Sequence, residues 1–118
     1  MVLIFGGAYQ GKLDYAQNKF GMDTKIVNDV DKWILSLIQE GKEIAVEVTR
    51  FFDDNKDSVI ICNDISCGVV PVDPTMRRWR EEVGRFMAQA AEKSDEVVRV
   101  YCGIPTCIRK KVDTERND

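Results

Sequence analysis

Short apolar runs alternate along this chain with longer stretches in which apolar residues recur every third or fourth position. Residues 2–5 form the first run and predict a buried strand. A glycine-rich loop follows, then an amphipathic stretch over 12–20 that Gly21 can close in the left-handed conformation. "KIVND" (25–29) predicts a second short strand ending on a carboxylate. Over 31–40, Ile34, Leu35 and Ile38 fall at helical spacing around Trp33 until Gly41 breaks the run, and Ile44, Val48, Phe51 and Phe52 continue with similar spacing. "SVIICND" (58–64) is the clearest strand. The strongest helix lies in "PVDPTMRRWREEVGRFMAQAAEKSDE", with Asp73 as its cap and Pro74 at its first position. Its apolar stripe is Met76, Trp79, Val83, Phe86, Met87, Ala90 and Ala91. "EVVRVYCG" (96–103) reads as a last strand with a glycine exit. The remainder, from about 106 to 118, reads as a polar tail that frays.

Strands and helices in this alternation imply an α/β fold, a mainly parallel sheet covered on both faces. The 118 residues suffice for one domain, spanning 1–118, with no internal repeat or linker. Hydrophobic residues at 44% and charged residues at 31% are ordinary globular usage. A net charge of -3 argues against nucleic acid as a partner. No run approaches the length of a membrane span, and "MVLIF" lacks the basic flank of a secretory signal, so a cytoplasmic location is expected. The chain contains no histidine. That removes the usual neutral-pH base and the commonest metal ligand.

Chemistry concentrates first in the loop. Gly6, Gly7, Ala8, Tyr9, Gln10, Gly11 and Lys12 spell G-x-x-x-x-G-K between a predicted strand and a predicted helix. In that setting backbone N–H groups converge on a phosphate, the helix N-terminus adds positive character, and the lysine supplies a mobile charge. The next residue is Leu13, where phosphoryl-transfer enzymes carry the Ser or Thr that ligates Mg²⁺. Phosphate binding survives that change, since it needs only backbone and lysine; metal-assisted transfer is what the change strikes. Two strands end in Asn-Asp, at Asp29 and Asp64. Each carboxylate can hold a metal or orient a hydroxyl nucleophile at the loop's edge of the sheet, or can simply cap the element that follows.

The segments "GGAYQGK", "NDVDKW" and "CNDISCGVVPVDPTMRRWREEVGRFMAQAAEKSDEVVRVYCGIP" resemble the adenosylcobinamide kinase/adenosylcobinamide-phosphate guanylyltransferase family of cobalamin biosynthesis. The long segment carries the specificity, with Gly-Val-Val-Pro followed by a helix reading Arg-Trp-Arg-Glu-Glu-x-Gly-Arg. The resemblance implies a P-loop NTPase-like three-layer sandwich, ATP or GTP as donor, a corrinoid (adenosylcobinamide) substrate and a homo-oligomer, typically a trimer. Carried over by position, Gly6, Gly11 and Lys12 hold phosphates. Asp29 matches the acidic residue ahead of the family's tryptophan, and Asp64 the glutamate of its N-E-V. Arg80 and Arg85 are retained as candidates for the anionic ligand, whereas Arg77 reads as part of a salt-bridged face. The departures are Gln10 and Leu13 for serines, Asp64 for glutamate, and a shortened region around 20–25. That region bears the family's GMP-accepting histidine, so guanylyl transfer is expected to be lost and kinase activity weakened. The alternative is a non-catalytic regulatory or interaction subunit on the same scaffold.

Four cysteines form two C-x4-C pairs, Cys62/Cys67 and Cys102/Cys107. Both pairs straddle a strand end, which allows a tetrathiolate site, although buried and loop thiols are the simpler reading.

Overall fold

The computed structural model describes residues 1–21, 23–65 and 73–111. Cys67 and the Gly-Val-Val-Pro segment therefore lie outside the described residues.

The chain runs β1 (Val2–Gly6), α1 (Lys12–Phe20), β2 (Ile26–Val27), α2 (Val30–Gln39), α3 (Ile44–Asp54), β3 (Val59–Asn63), α4 (Pro74–Lys93), β4 (Glu96–Tyr101) and β5 (Ile104–Lys110). The strands form one sheet in the order β2-β3-β1-β4-β5. β1 pairs in parallel with β3 and β4, β2 runs parallel to β3, and only β5 is antiparallel. The expected mainly parallel α/β sandwich is present.

Alternation along the strands divides the core. Leu3, Ile60, Cys62 and Val97 face α2, α3 and α4, meeting Val30, Ile34, Val48, Phe52, Val83 and Phe86. Ile4, Val59, Ile61, Val98 and Val100 face the opposite way, where α1 contributes Ala16 with Tyr15 and Phe20 alongside. Side chains on successive strand residues point to opposite faces, so the four-residue apolar runs serve two layers at once. An aromatic group tightens the larger layer. Phe52 stacks on Phe86 at 5.2 Å between ring centroids, and Trp33 lies 4.9 Å from Phe51.

Local signals explain most boundaries. Asp73 accepts the Thr75 N–H at 2.8 Å and caps α4, with Pro74 in the first position. Gly21 ends α1 with a φ of 75°. Trp79 in α4 donates its indole N–H to the Asp31 carbonyl at 2.7 Å, fastening α4 to the start of α2. No helix among the described residues is long and apolar enough to cross a membrane.

The expectation of a frayed tail from about 106 fails as far as Lys110. Those residues form β5, which pairs with β4 from Tyr101↔Ile104 to Glu96↔Lys110, with a register shift opposite Val97 and Val98. Cys102 and Gly103 both take positive φ, 51° and 75°, the signature of the tight two-residue turn that matches strand twist. The polar residues also have work to do. Arg109 donates to the carbonyls of Ala91 and Ser94, and Lys111 to that of Glu92, so cations close the C-terminal end of α4. Charge that reads as solvated surface is in part a helix cap supplied from a distant strand.

Replacing Arg109 by alanine is expected to lower unfolding free energy by about 1–2 kcal/mol, the scale of hydrogen bonds to a charged group. A urea titration would read this as a lower midpoint, with Arg109→Lys falling between the two.

Candidate functional site

The glycine loop leaves the C-terminal end of β1, in the middle of the sheet. Its course is dictated by close approach. Gly6 has a φ of 154°, and a Cβ there would lie 2.3 Å from the Val100 carbonyl oxygen of β4. Gly11 has a φ of 89°, and its Cβ position lies 3.4 Å from the Gly103 Cα. No side chain is compatible with the first contact, and the second adds a left-handed backbone that favours glycine. Tyr9 also takes a positive φ, 59°, and its side chain projects fully into solvent.

Gln10 ties the loop to the β4–β5 turn. Its side-chain oxygen accepts the Cys102 N–H at 2.6 Å, and its main-chain oxygen accepts the Gly103 N–H at 2.8 Å. On the other side, the Asp64 N–H donates to the Gly6 carbonyl at 2.8 Å. The loop is thus fixed from both neighbouring strands. Most of its own amides are left over: the turn at residues 8 and 9 directs the Gln10 N–H toward the Gly7 carbonyl, but among the described residues no protein acceptor takes the N–H groups of residues 8, 9 and 11–14. They comprise the turn and the first turn of α1, the geometry that receives an anion.

Lys12 opens α1 and is only 6% exposed. Its ammonium donates to the Gly7 carbonyl at 2.5 Å, across the mouth of the loop. Burial lowers its pKa from the usual 10.5, while the carboxylates of Asp31 and Asp29 pull in the opposite direction.

Asp31 is the residue that sequence reasoning missed. It is 2% exposed and accepts the Asn63 N–H at 3.2 Å and the Asn63 Nδ2 at 3.3 Å. It therefore joins α2 to the end of β3 and places a buried negative charge near Lys12. One signal was available. Asp31 stands three residues before Ile34, on the helix face that carries the buried apolar residues, where an unpaired acid is costly.

A cleft of about 340 Å³ opens at this sheet edge. Ala8, Tyr9, Gln10, Gly11, Lys12 and Leu13 line it together with Asp14, Asn28, Asp29, Lys32 and Asn63. Asp29 takes the left-handed conformation at the start of α2 and its side chain makes no cap bond; it stands 3.5 Å from Lys32. The capping alternative for Asp29 is thereby removed. Asp64 is half-buried and does not line the cleft, nor does Arg80, which is half-buried on α4. Arg85 lies elsewhere, in a second cleft with Val48 and Phe86, and is ion-paired to Glu82. The helix that carries both arginines packs on the face of the sheet, and Arg85 projects toward α3.

Among the described residues, the cleft has carboxylates at Asp14 and Asp29 but lacks the hydroxyl after the lysine that holds magnesium in metal-assisted transfer. Leu13 supplies no oxygen, and of the two Asn-Asp carboxylates only Asp29 reaches the cleft. The unclaimed amides and Lys12 are groups of the kind that receive an anion.

The three described cysteines are free thiols. Cys62 is buried on β3, where burial raises its thiol pKa well above the ordinary range, with the Asp31 charge adding to the effect. Cys102 and Cys107 are exposed along the hairpin. Among the described residues, no group of three or more His, Cys, Asp or Glu side chains could hold a metal.

Topology and loop together define the class, a P-loop NTPase-like α/β protein. The chain matches the cobinamide kinase / cobinamide phosphate guanyltransferase family over residues 21–108. It belongs to that family, which takes part in cobalamin biosynthesis and binds nucleotides. The glycine loop precedes the matched span, so its assignment stands on its own geometry. Among curated proteins, none matches the chain.

Gly6→Ala is expected to cost about 1–3 kcal/mol of stability through backbone overpacking. Gly7→Ala, whose Cβ meets nothing nearer than 3.7 Å, should stay within about 0.5 kcal/mol of the parent. Paired denaturation curves distinguish them.

Proposed function

We propose that the protein binds a purine nucleoside triphosphate, ATP or GTP, at the glycine loop, and that it is a cobinamide kinase-type protein whose phosphoryl transfer is weak. The observation that carries this reading is the set of amides at residues 8, 9 and 11–14 without protein acceptors, around the buried Lys12. Lys12 releases the Gly7 carbonyl and turns to the β- and γ-phosphates. Asp29, free of a capping role, orients the attacking hydroxyl of a corrinoid acceptor. Guanylyl transfer through a histidine adduct is outside its chemistry, since the chain has no histidine.

Titration calorimetry tests the first part. ATP or GTP should bind, and Lys12→Ala should weaken binding by about tenfold or more, as loss of a charge-assisted contact implies. Heat from neither nucleotide would refute the reading. The pH dependence has a defined sign. Phosphate favours the ammonium form, so affinity falls as pH rises through the lowered Lys12 pKa, on the acid side of 10.5. Lys12→Arg should retain whatever affinity it has across that range.

A second reading, a regulatory or interaction subunit that binds nucleotide without turning it over, is favoured by Leu13 at the position of the metal-ligating hydroxyl. Its surface for association, with another copy of the chain or with a partner, would include the exposed Tyr101, Ile104 and Ile108 of the β4–β5 hairpin. Incubation with adenosylcobinamide and nucleotide separates the two. Phosphorylated product above the Lys12→Ala background establishes the kinase; product equal to that background establishes the subunit.

A further inference from the structure

A third cavity, of about 360 Å³, lies at the β2 edge of the molecule, between α2 and α3. Its walls are apolar and partly aromatic: Val27, Val30, Trp33 and Phe51, with the two rings tilted 31° to each other. The volume falls in the lower part of the range for small-molecule sites, roughly 300–1,000 Å³, and mainly apolar walls with few polar groups are typical of them.

Asn28 lines both this cavity and the phosphate cleft. Its side-chain oxygen is engaged by the Asp29 N–H at 2.9 Å, which leaves its amide N–H groups to face a ligand. The rim is acidic on balance. Glu47 is paired with Arg50 at 3.5 Å, and the exposed Asp54 adds a carboxylate beyond that pair. An anionic group is therefore disfavoured here, in contrast to the amide-lined cleft next door. The two compartments are chemically opposite and share one residue.

We infer that the cavity between α2 and α3 is a binding site for a flat, apolar small molecule bearing a neutral or cationic polar arm, separate from the phosphate cleft but meeting it at Asn28. Trp33 and Phe51 form the wall for the flat body. Asp54 favours the cationic arm, and Asn28 marks the side from which a second ligand in the cleft would be met. Binding needs no nucleotide, so this inference and the nucleotide reading stand or fall separately.

The test uses the full chain labelled with ¹⁵N, without nucleotide, and two probes that share a ring system: 2-naphthylmethylamine and 2-naphthoate. The two tryptophans report in one spectrum. Trp33 lines the cavity, whereas the Trp79 indole N–H is held by the Asp31 carbonyl outside it. The amine should shift the Trp33 indole signal saturably and leave Trp79 in place. It should also bind roughly threefold to fivefold more tightly than the carboxylate, the scale of one exposed charge interaction. Asp54→Arg, at an exposed position, should abolish or reverse that preference while naphthyl binding persists. Val27→Arg, which fills the cavity, should weaken both probes about tenfold. Unsaturable shifts, equal shifts at Trp33 and Trp79, or tighter binding of the carboxylate to the parent protein would each overturn the inference.

Discussion

Everything at the candidate site depends on how closely β1 and β4 approach where β1 ends. Parallel pairing carries the two strands in register from Val2 to Phe5, and the next residue must lie against the Val100 carbonyl with no room for a side chain. Only glycine satisfies that contact, and its positive φ turns the chain out of the sheet into the loop. The fold and the anion-receiving turn therefore have a common cause. A change that relaxed the sheet at this point would also redirect the amides.

Around that turn the molecule distributes charge in layers. A buried cation, Lys12, faces a buried anion, Asp31, whose oxygens are held by Asn63. The desolvation that lowers the lysine's pKa is opposed by the carboxylate's field. The lysine can thus remain charged inside a largely protein environment while keeping a proton donor available to a ligand. Its present acceptor, the Gly7 carbonyl, is neutral, and a phosphate oxygen is a stronger one.

Much of the fold was legible because its determinants are local. The stretch after the glycine loop is helical over the span its periodicity predicts, Lys12–Phe20, and Asp73 with Pro74 announces α4 before any contact is known. β5 was not legible. Its stability comes from a turn with two left-handed residues and from Arg109 reaching α4, both long-range or conformational facts that a polar composition conceals. The site divides the same way. Loop glycines, Lys12 and Asp29 could be named from spacing and strand ends. Asp31 escaped because its importance lies in its burial beside Asn63, 32 residues away. Arg85, carried over from the family pattern, lies in a different cleft, since such a pattern specifies that a residue recurs, not which way the helix turns it.

The tie between Gln10 and the β4–β5 turn gives the far end of the chain a part in a motif read near its beginning. Two backbone amides from residues 102 and 103 rest on one glutamine, so the glycine motif has a backing that its own seven letters do not encode. A fragment ending ahead of that turn would still score as a phosphate loop in any pattern search, yet its scaffold would be missing. Motif and competence to bind can therefore part company in shortened relatives, and the hairpin is the place to look for the difference.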